Sequence, residues 1–273
     1  MHWKRERLML RTIEKKRAIV IAVLAAVLLI CSFASMALYD VRVREYFASS
    51  DTSFSRTVWM EGFKQFGKTW VPVWLMLLWL LTCRRVEPVL AGLVALVVVL
   101  PMVVGVKMSV NRIRPQQMVY ISQGMEPEQI PRSNSSFPSG DTASIFAAVT
   151  ALILMRGWRL ALLVLPAAGV GVMRVVDLRH YPSDVFAGVA VGIIAGFIAV
   201  YIVENHPNLY PEQYLSRPWR MVTIALIVLL PFLASLTEGS SSIFRFLMPY
   251  WPIVLVVFCV NYFRFRRKKR YER

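Results

Sequence analysis

Apolar residues run in blocks along this chain, and the polar ones collect between the blocks. A helix that crosses a bilayer needs about 20 mostly apolar residues. By that measure eight spans are predicted, at about 18–39, 69–83, 89–106, 139–155, 160–173, 185–203, 221–238 and 246–262. The second and fifth are short. The first follows seven cations in the first seventeen residues and lacks a small-residue cleavage site, the pattern of an uncleaved anchor. Between the first two spans, Phe54, Val58, Trp59, Phe63 and Phe66 keep mostly to helical spacing, which predicts a helix lying in the membrane interface. Gly188, Gly192 and Gly196 recur every fourth residue in the sixth span and predict a face for close helix contact. The pattern gives an all-α integral membrane protein. It divides into a basic N-terminus (1–17), a six-span core (18–206) and a C-terminal extension (207–273) of about two more spans and a basic tail.

Composition narrows the class. The chain has 273 residues, 57% of them hydrophobic, a mean hydropathy of +0.53 and a formal net charge of +16. Disorder is excluded, because it requires low hydrophobicity. No nucleic-acid partner is expected, since the cations flank apolar runs instead of forming one basic face. Cys31, Cys83 and Cys259 each sit inside an apolar stretch, with no CxxC, so neither disulfides nor a zinc site is indicated. With eight spans both termini fall on one side. That side holds the N-terminus, Arg84, Arg85, Arg156, Arg159, Arg217, Arg220 and the tail, 20 of the 32 Lys and Arg. The positive-inside rule makes it the cytoplasm. The expected location is a bacterial cytoplasmic membrane, with the opposite loops in the periplasm.

Those opposite loops carry the candidate chemistry. Lys107, Asn111 and Arg114 follow the third span at spacings of four and three, one face of a continued helix, and Pro115 then ends it. The fourth span opens on Pro138-Ser139-Gly140-Asp141, a helix start whose free N–H groups suit an anion. Arg174 closes the fifth span, and His180 and Asp184 lead into the sixth. Cations, a helix N-terminus and one histidine with a carboxylate four residues on fit phosphoryl transfer. The cations hold phosphoryl oxygens, the imidazole attacks phosphorus, and the carboxylate orients the ring. His2 and His206 lie on the other predicted side, so His180 alone shares a face with these cations.

These blocks resemble the three-part signature of the type 2 phosphatidic acid phosphatase superfamily: Lys-x6-Arg-Pro, Pro-Ser-Gly-His, and Ser-Arg-x5-His-x3-Asp. Lys107 to Pro115, 138–141, and Arg174 to Asp184 reproduce its order and both long spacings. The resemblance covers about 107–184 directly and implies a six-helix membrane core. It also implies roles. Lys107, Arg114 and Arg174 would bind phosphate oxygens, helped by Ser139 and the Gly140 amide; His180 would be the nucleophile and Asp184 its partner. No metal or other cofactor is implied. Two positions depart from the signature: Met173 stands in place of Ser, and Asp141 in place of the His that protonates the leaving group. A free Asp is ionised at neutral pH and donates no proton; if Asp141 stays ionised, diphosphate lipids, whose leaving group needs less help, should be cleaved better, and if bound phosphate keeps it protonated, Asp141 is a catalytic acid on both substrate types. The expected partners are membrane lipids and a lipid phosphate substrate, hydrolysed through a phosphohistidine at the outer membrane face. Phosphoryl transfer between lipids and a lipid-phosphate-binding pseudoenzyme are the alternatives. A transporter would place its ionisable groups at mid-span instead.

Overall fold

The computed structural model describes residues 2–82, 86–131 and 134–206, so the two last predicted spans, Arg217, Arg220 and the basic tail lie outside the described residues. Nine α-helices are present among them: α1 (His2–Leu38), α2 (Asp40–Ser49), α3 (Val58–Lys64), α4 (Trp70–Thr82), α5 (Glu87–Val110), α6 (Pro115–Ser122), α7 (Gly140–Arg156), α8 (Val164–Val176) and α9 (Pro182–Asn205). The segments 15–38, 87–122, 158–176 and 182–205 are long and apolar enough to cross a membrane. Valine-rich runs such as 97–99 would favour strands in water. In hydrocarbon the backbone must bond to itself within the segment, which imposes a helix. The protein is an all-helical membrane protein.

The centre of the bundle is α5, α7 and α9, joined through Ala91, Ala95, Val99, Ala143, Ala147, Ala151, Ala195 and Ala199, all fully buried. α7 and α9 run parallel at very short range. A Cβ on Gly188, Gly192 or Gly196 would lie 2.6–2.7 Å from the carbonyl oxygens of Ser139, Ala143 or Ala147 respectively. Only glycine permits that approach. α1 lies antiparallel to α9: Arg17 pairs with Glu204 at one end, and Ser32 donates to the Ser183 carbonyl at the other. The outward side of α1, including Ile19, Val23, Val27, Ile30 and Phe33, is exposed as a lipid-facing surface requires. α7, 17 residues long, is buried along most of its length.

Two local expectations are corrected. Helix α5 does not continue through Arg114. Asn111 adopts a left-handed conformation (φ 43°) and donates its N–H to the Lys107 carbonyl, closing the helix at Val110. Asn tolerates that region better than other non-glycine residues. Pro115 consequently starts α6 instead of ending α5. The predicted interfacial helix around 54–66 is three pieces: a 3-10 turn at Ser53–Arg56, α3, and a second turn at Gln65–Gly67. Its Phe63 and Phe66 pack on Ile145, Phe146, Val149, Ala167 and Val170 of α7 and α8. At Phe63 and Phe66 the apolar face therefore meets protein, whereas Phe54 is exposed. Gly67 seals the contact, since a Cβ there would lie 2.7 Å from Val170 Cγ1 and 2.8 Å from Asp141 Cβ.

Candidate active site

α5, α8, α7 and α9 all present an end to one mouth of the bundle, where the α3 segment forms a wall. A cavity of about 410 Å³ opens there, lined by six cations (Lys64, Lys68, Lys107, Arg114, Arg174, Arg179), three carboxylates (Glu61, Asp141, Asp177), and Gln65, Asn134, Gly140 and His180. All three carboxylates are paired. Asp141 Oδ2 lies 2.7 Å from Arg174 Nη2, Asp177 Oδ2 lies 2.8 Å from Lys64 Nζ, and Glu61 also bonds that ammonium. The excess of cations leaves a site built for an anion.

His180 is buried, and its Nδ1 lies 2.8 Å from the Ser136 carbonyl oxygen. A carbonyl only accepts, so Nδ1 carries the hydrogen and Nε2 keeps its lone pair. Asp184 is behind the ring at 3.6 Å from Nδ1, beyond hydrogen-bond range. Its Oδ2 instead accepts from the Ser136 hydroxyl and, at 2.8 Å, from the Tyr181 N–H, while Oδ1 meets Arg112 at 2.7 Å. The ring is thus oriented directly by Ser136, with Asp184 holding Ser136. Burial is the largest influence on His180 and pushes its imidazole below its ordinary 6.5; the nearby Asp184 carboxylate opposes this, and Arg114 adds to the lowering.

The other residues singled out from the sequence come to the same mouth in different ways. Arg114 is held by Asn134, with Nη2 to Oδ1 at 2.6 Å and Nε to the carbonyl at 3.2 Å. Lys107 donates to the Ser135 carbonyl. Arg174 reaches the Lys64 carbonyl at 3.1 Å as well as Asp141, and its buried Nε has no partner. Gly140 and Asp141 line the cavity at the first turn of α7, where backbone N–H groups lack intrahelical acceptors. Ser139 is placed otherwise. It is fully buried, caps α7 and shares a hydrogen bond with the Thr142 hydroxyl at 2.9 Å. Asn111 is exposed at the surface, and Met173 is buried.

Sequence reasoning missed Lys64, Ser136, Asn134, Arg112 and Asp40. The signals were slight: Lys64 is a cation between two aromatic residues, Phe63 and Phe66, on an otherwise amphipathic stretch. Asp177 and Arg179 also line the cavity, and Asp177 pairs with Lys64.

Comparison with known proteins bears on the same blocks. Residues 88–207 match the PAP2 superfamily. A stretch of 74 residues is 39% identical to the lipid A 1-phosphatase of Porphyromonas gingivalis, covering 26% of this chain and 17% of that protein. A stretch of 101 residues is 39% identical to the phospholipid phosphatase-related protein type 5 of Mus musculus, covering 32% of each. The matches thus span a third or less of these curated relatives. No solved structure matches. Three ordered sequence blocks meet at one helical mouth, and residues 88–207, which hold all three, are similar to the PAP2 superfamily, the family of the type 2 phosphatidic acid phosphatases.

Proposed function

We propose that the chain is a metal-independent lipid phosphatase that works through a phosphohistidine. The observation that carries this reading is the commitment of His180 Nδ1 to the Ser136 carbonyl, which leaves Nε2 nucleophilic in a cavity with six cations. In the first step the Nε2 lone pair forms a bond to phosphorus as the phosphorus–oxygen bond to the lipid breaks. The leaving oxygen keeps that electron pair. Lys107, Arg114, Arg174 and the N–H groups of Gly140 and Asp141 stabilise the equatorial oxygens as charge gathers there. In the second step water attacks the phosphohistidine, inorganic phosphate leaves, and neutral imidazole returns. Asp184 fixes Ser136, and so the ring.

The site faces the side opposite Arg17, Arg156 and the basic N-terminus, so the positive-inside rule supports an outer-face, periplasmic active site. Lipid A phosphate is what the Porphyromonas relative's name specifies for that protein; here the substrate class is a lipid phosphate or diphosphate. The test uses the purified full chain in detergent with EDTA, given phosphatidic acid or an isoprenoid diphosphate carrying labelled phosphate. The reading expects phosphate release and an acid-labile, base-stable label on the protein. Phosphate release without protein label would overturn the phosphohistidine, and no release from either lipid would overturn the activity.

Asp141 stands at the leaving-group position but rests on Arg174. An ionised carboxylate there accepts and does not donate, and it competes with substrate for the guanidinium. Asp141→Asn should therefore lower KM for the diphosphate roughly fivefold, as expected for losing a partly exposed ion pair of about 1 kcal/mol, with kcat little changed. A large fall in kcat on the monophosphate alone would instead assign Asp141 the acid role.

The pH dependence has a definite sign. The nucleophile must be neutral, and burial holds His180 below 6.5. Protonation, and with it the acid-side loss of kcat/KM, should come at lower pH than for an ordinary histidine. Activity should persist as pH falls through the usual imidazole range, once the substrate's own titration is allowed for. An acid limb centred above 6.5 would contradict this geometry.

A further inference from the structure

Behind the catalytic histidine lies a buried charge network centred on Arg112, a residue between Lys107 and Arg114 to which the signature gives no identity. Arg112 sits between two carboxylates: Nη2 is 2.7 Å from Asp40 Oδ2, and Nη1 is 2.7 Å from Asp184 Oδ1. Nη1 also meets Ser183 Oγ at 2.6 Å, and the guanidinium carbon lies 4.0 Å from the centre of the Tyr181 ring. Asp40 comes from the start of α2, far from the site in sequence, and it is almost wholly buried. It accepts from Ser35 Oγ at 3.0 Å, from the Ser183 N–H at 3.2 Å and from the Ser183 hydroxyl. The Arg112 backbone joins the same network. Its N–H donates to Ser135 Oγ at 2.9 Å, and its carbonyl accepts from the Ser136 N–H at 2.8 Å. One residue thus grips both groups that stand against His180 Nδ1, namely Ser136 through its main chain and Asp184 through its side chain.

We propose that Arg112 is a positioning residue for His180, anchored by Asp40, and that its guanidinium fixes Asp184 at its standoff from the ring. This deepens the phosphohistidine reading and rests on it. The forked guanidinium suits the task because it engages two carboxylates at once in a fixed plane, which an ammonium does not. Buried carboxylates left without their cation must move or change protonation. With Oδ1 released, Asp184 turns its charge toward Nδ1, now 3.6 Å away, and the ring loses its alignment. A reacting atom misplaced by about 1 Å costs roughly 100-fold in rate.

The experiment reads the ring directly as well as turnover. The chain has three histidines, so 15N-histidine labelling of the full protein in micelles gives a short spectrum, with His180 assigned by His180→Ala. The groups facing the ring are Asp184 from α9, Asp141 from α7 and Arg114 from the turn before α6, with Lys107, Arg174 and Arg179 elsewhere on the cavity wall. Of these, only Asp184 loses a direct partner in Arg112→Met. In that variant the His180 titration midpoint should rise, because a nearby cation is gone and Asp184 is freed. Its kcat on phosphatidic acid should fall about 100-fold, with KM within about threefold, since Arg112 does not line the cavity. Arg112→Lys should return the midpoint toward wild type and recover kcat in part. Asp40→Asn should lower kcat in the same direction by less. If Arg112→Met does not fold, Arg112→Lys carries the test through kcat alone, because it keeps the charge and loses the fork. The proposal is overturned if a folded Arg112→Met titrates at His180 as wild type does, or if its lost activity only matches lost folded protein. It is equally overturned if Arg112→Lys, as the sole folded variant, turns over at the wild-type rate. Should wild type release no phosphate while His180 still shifts with Arg112, the phosphatase reading falls and the hold of Arg112 on the ring stands.

Discussion

His180→Ala should lower phosphate release by roughly 10⁴-fold or more, the scale seen when an enzyme loses its nucleophile, while substrate binding changes little. Six cations line the cavity, and the substitution removes none of them, so KM should stay within a few-fold of wild type. What is lost is the Nε2 lone pair. The Ser136 carbonyl and Asp184 would remain in place with nothing to orient. Covalent labelling of the protein should vanish together with turnover, because the phosphorus–nitrogen bond has nowhere to form. Measuring both separates this expectation from unfolding, which would also abolish binding. A variant that binds lipid phosphate and turns it over at even a tenth of the wild-type rate would sink the nucleophile assignment.

Gly192→Val should be the most damaging of the glycine substitutions. A Cβ at Gly192 would lie 2.6 Å from the Ala143 carbonyl oxygen, 2.8 Å from Phe146 Cβ and 3.0 Å from the Ala147 nitrogen. Two of these atoms are backbone and cannot step aside. α9 must then move away from α7, and overpacking of a rigid core costs about 3 kcal/mol. The site suffers too, because the Ser139 N–H donates to the Asp184 carbonyl across that interface at 3.0 Å. Thermal unfolding in detergent is the measurement, with Gly192→Ala as the milder step in the same direction. A valine variant melting within about 2 °C of wild type would mean the two helices are not as close as described.

What the sequence made legible and what it hid follow a physical division. The apolar blocks of the core were readable because a bilayer permits few backbone solutions; α4, α5, α7 and α9 begin and end close to where those blocks do, and α1 ends with its block but starts well before it, at His2. The fifth block needed a correction of kind, since its first part, Trp158–Leu163, is a 3-10 turn leading into α8. The signature residues could be read because their chemistry is tied to fixed spacings within single segments. Contacts between segments carry no such mark. Nothing at Lys64 announces that its segment folds back onto α7 and α8, and nothing at Asp40 announces a partner 72 residues away at Arg112. Ser139 was expected to bind phosphate because the resemblance implies that role. The start of α7 uses its hydroxyl as a cap. Asn111 was read as one more turn of helix because spacing alone does not reveal a residue that will adopt positive φ.

The wall formed by α3 and the turn after it lies wholly outside residues 88–207, yet it supplies Glu61, Lys64, Gln65 and Lys68 to the cavity. His180 and the shape of the entrance are therefore encoded in separate stretches of the chain. Under the phosphatase reading, replacing residues 53–68 should re-tailor the headgroups admitted while leaving His180 and Ser136 untouched. Under that reading, the entrance is open to change without any change in the reaction.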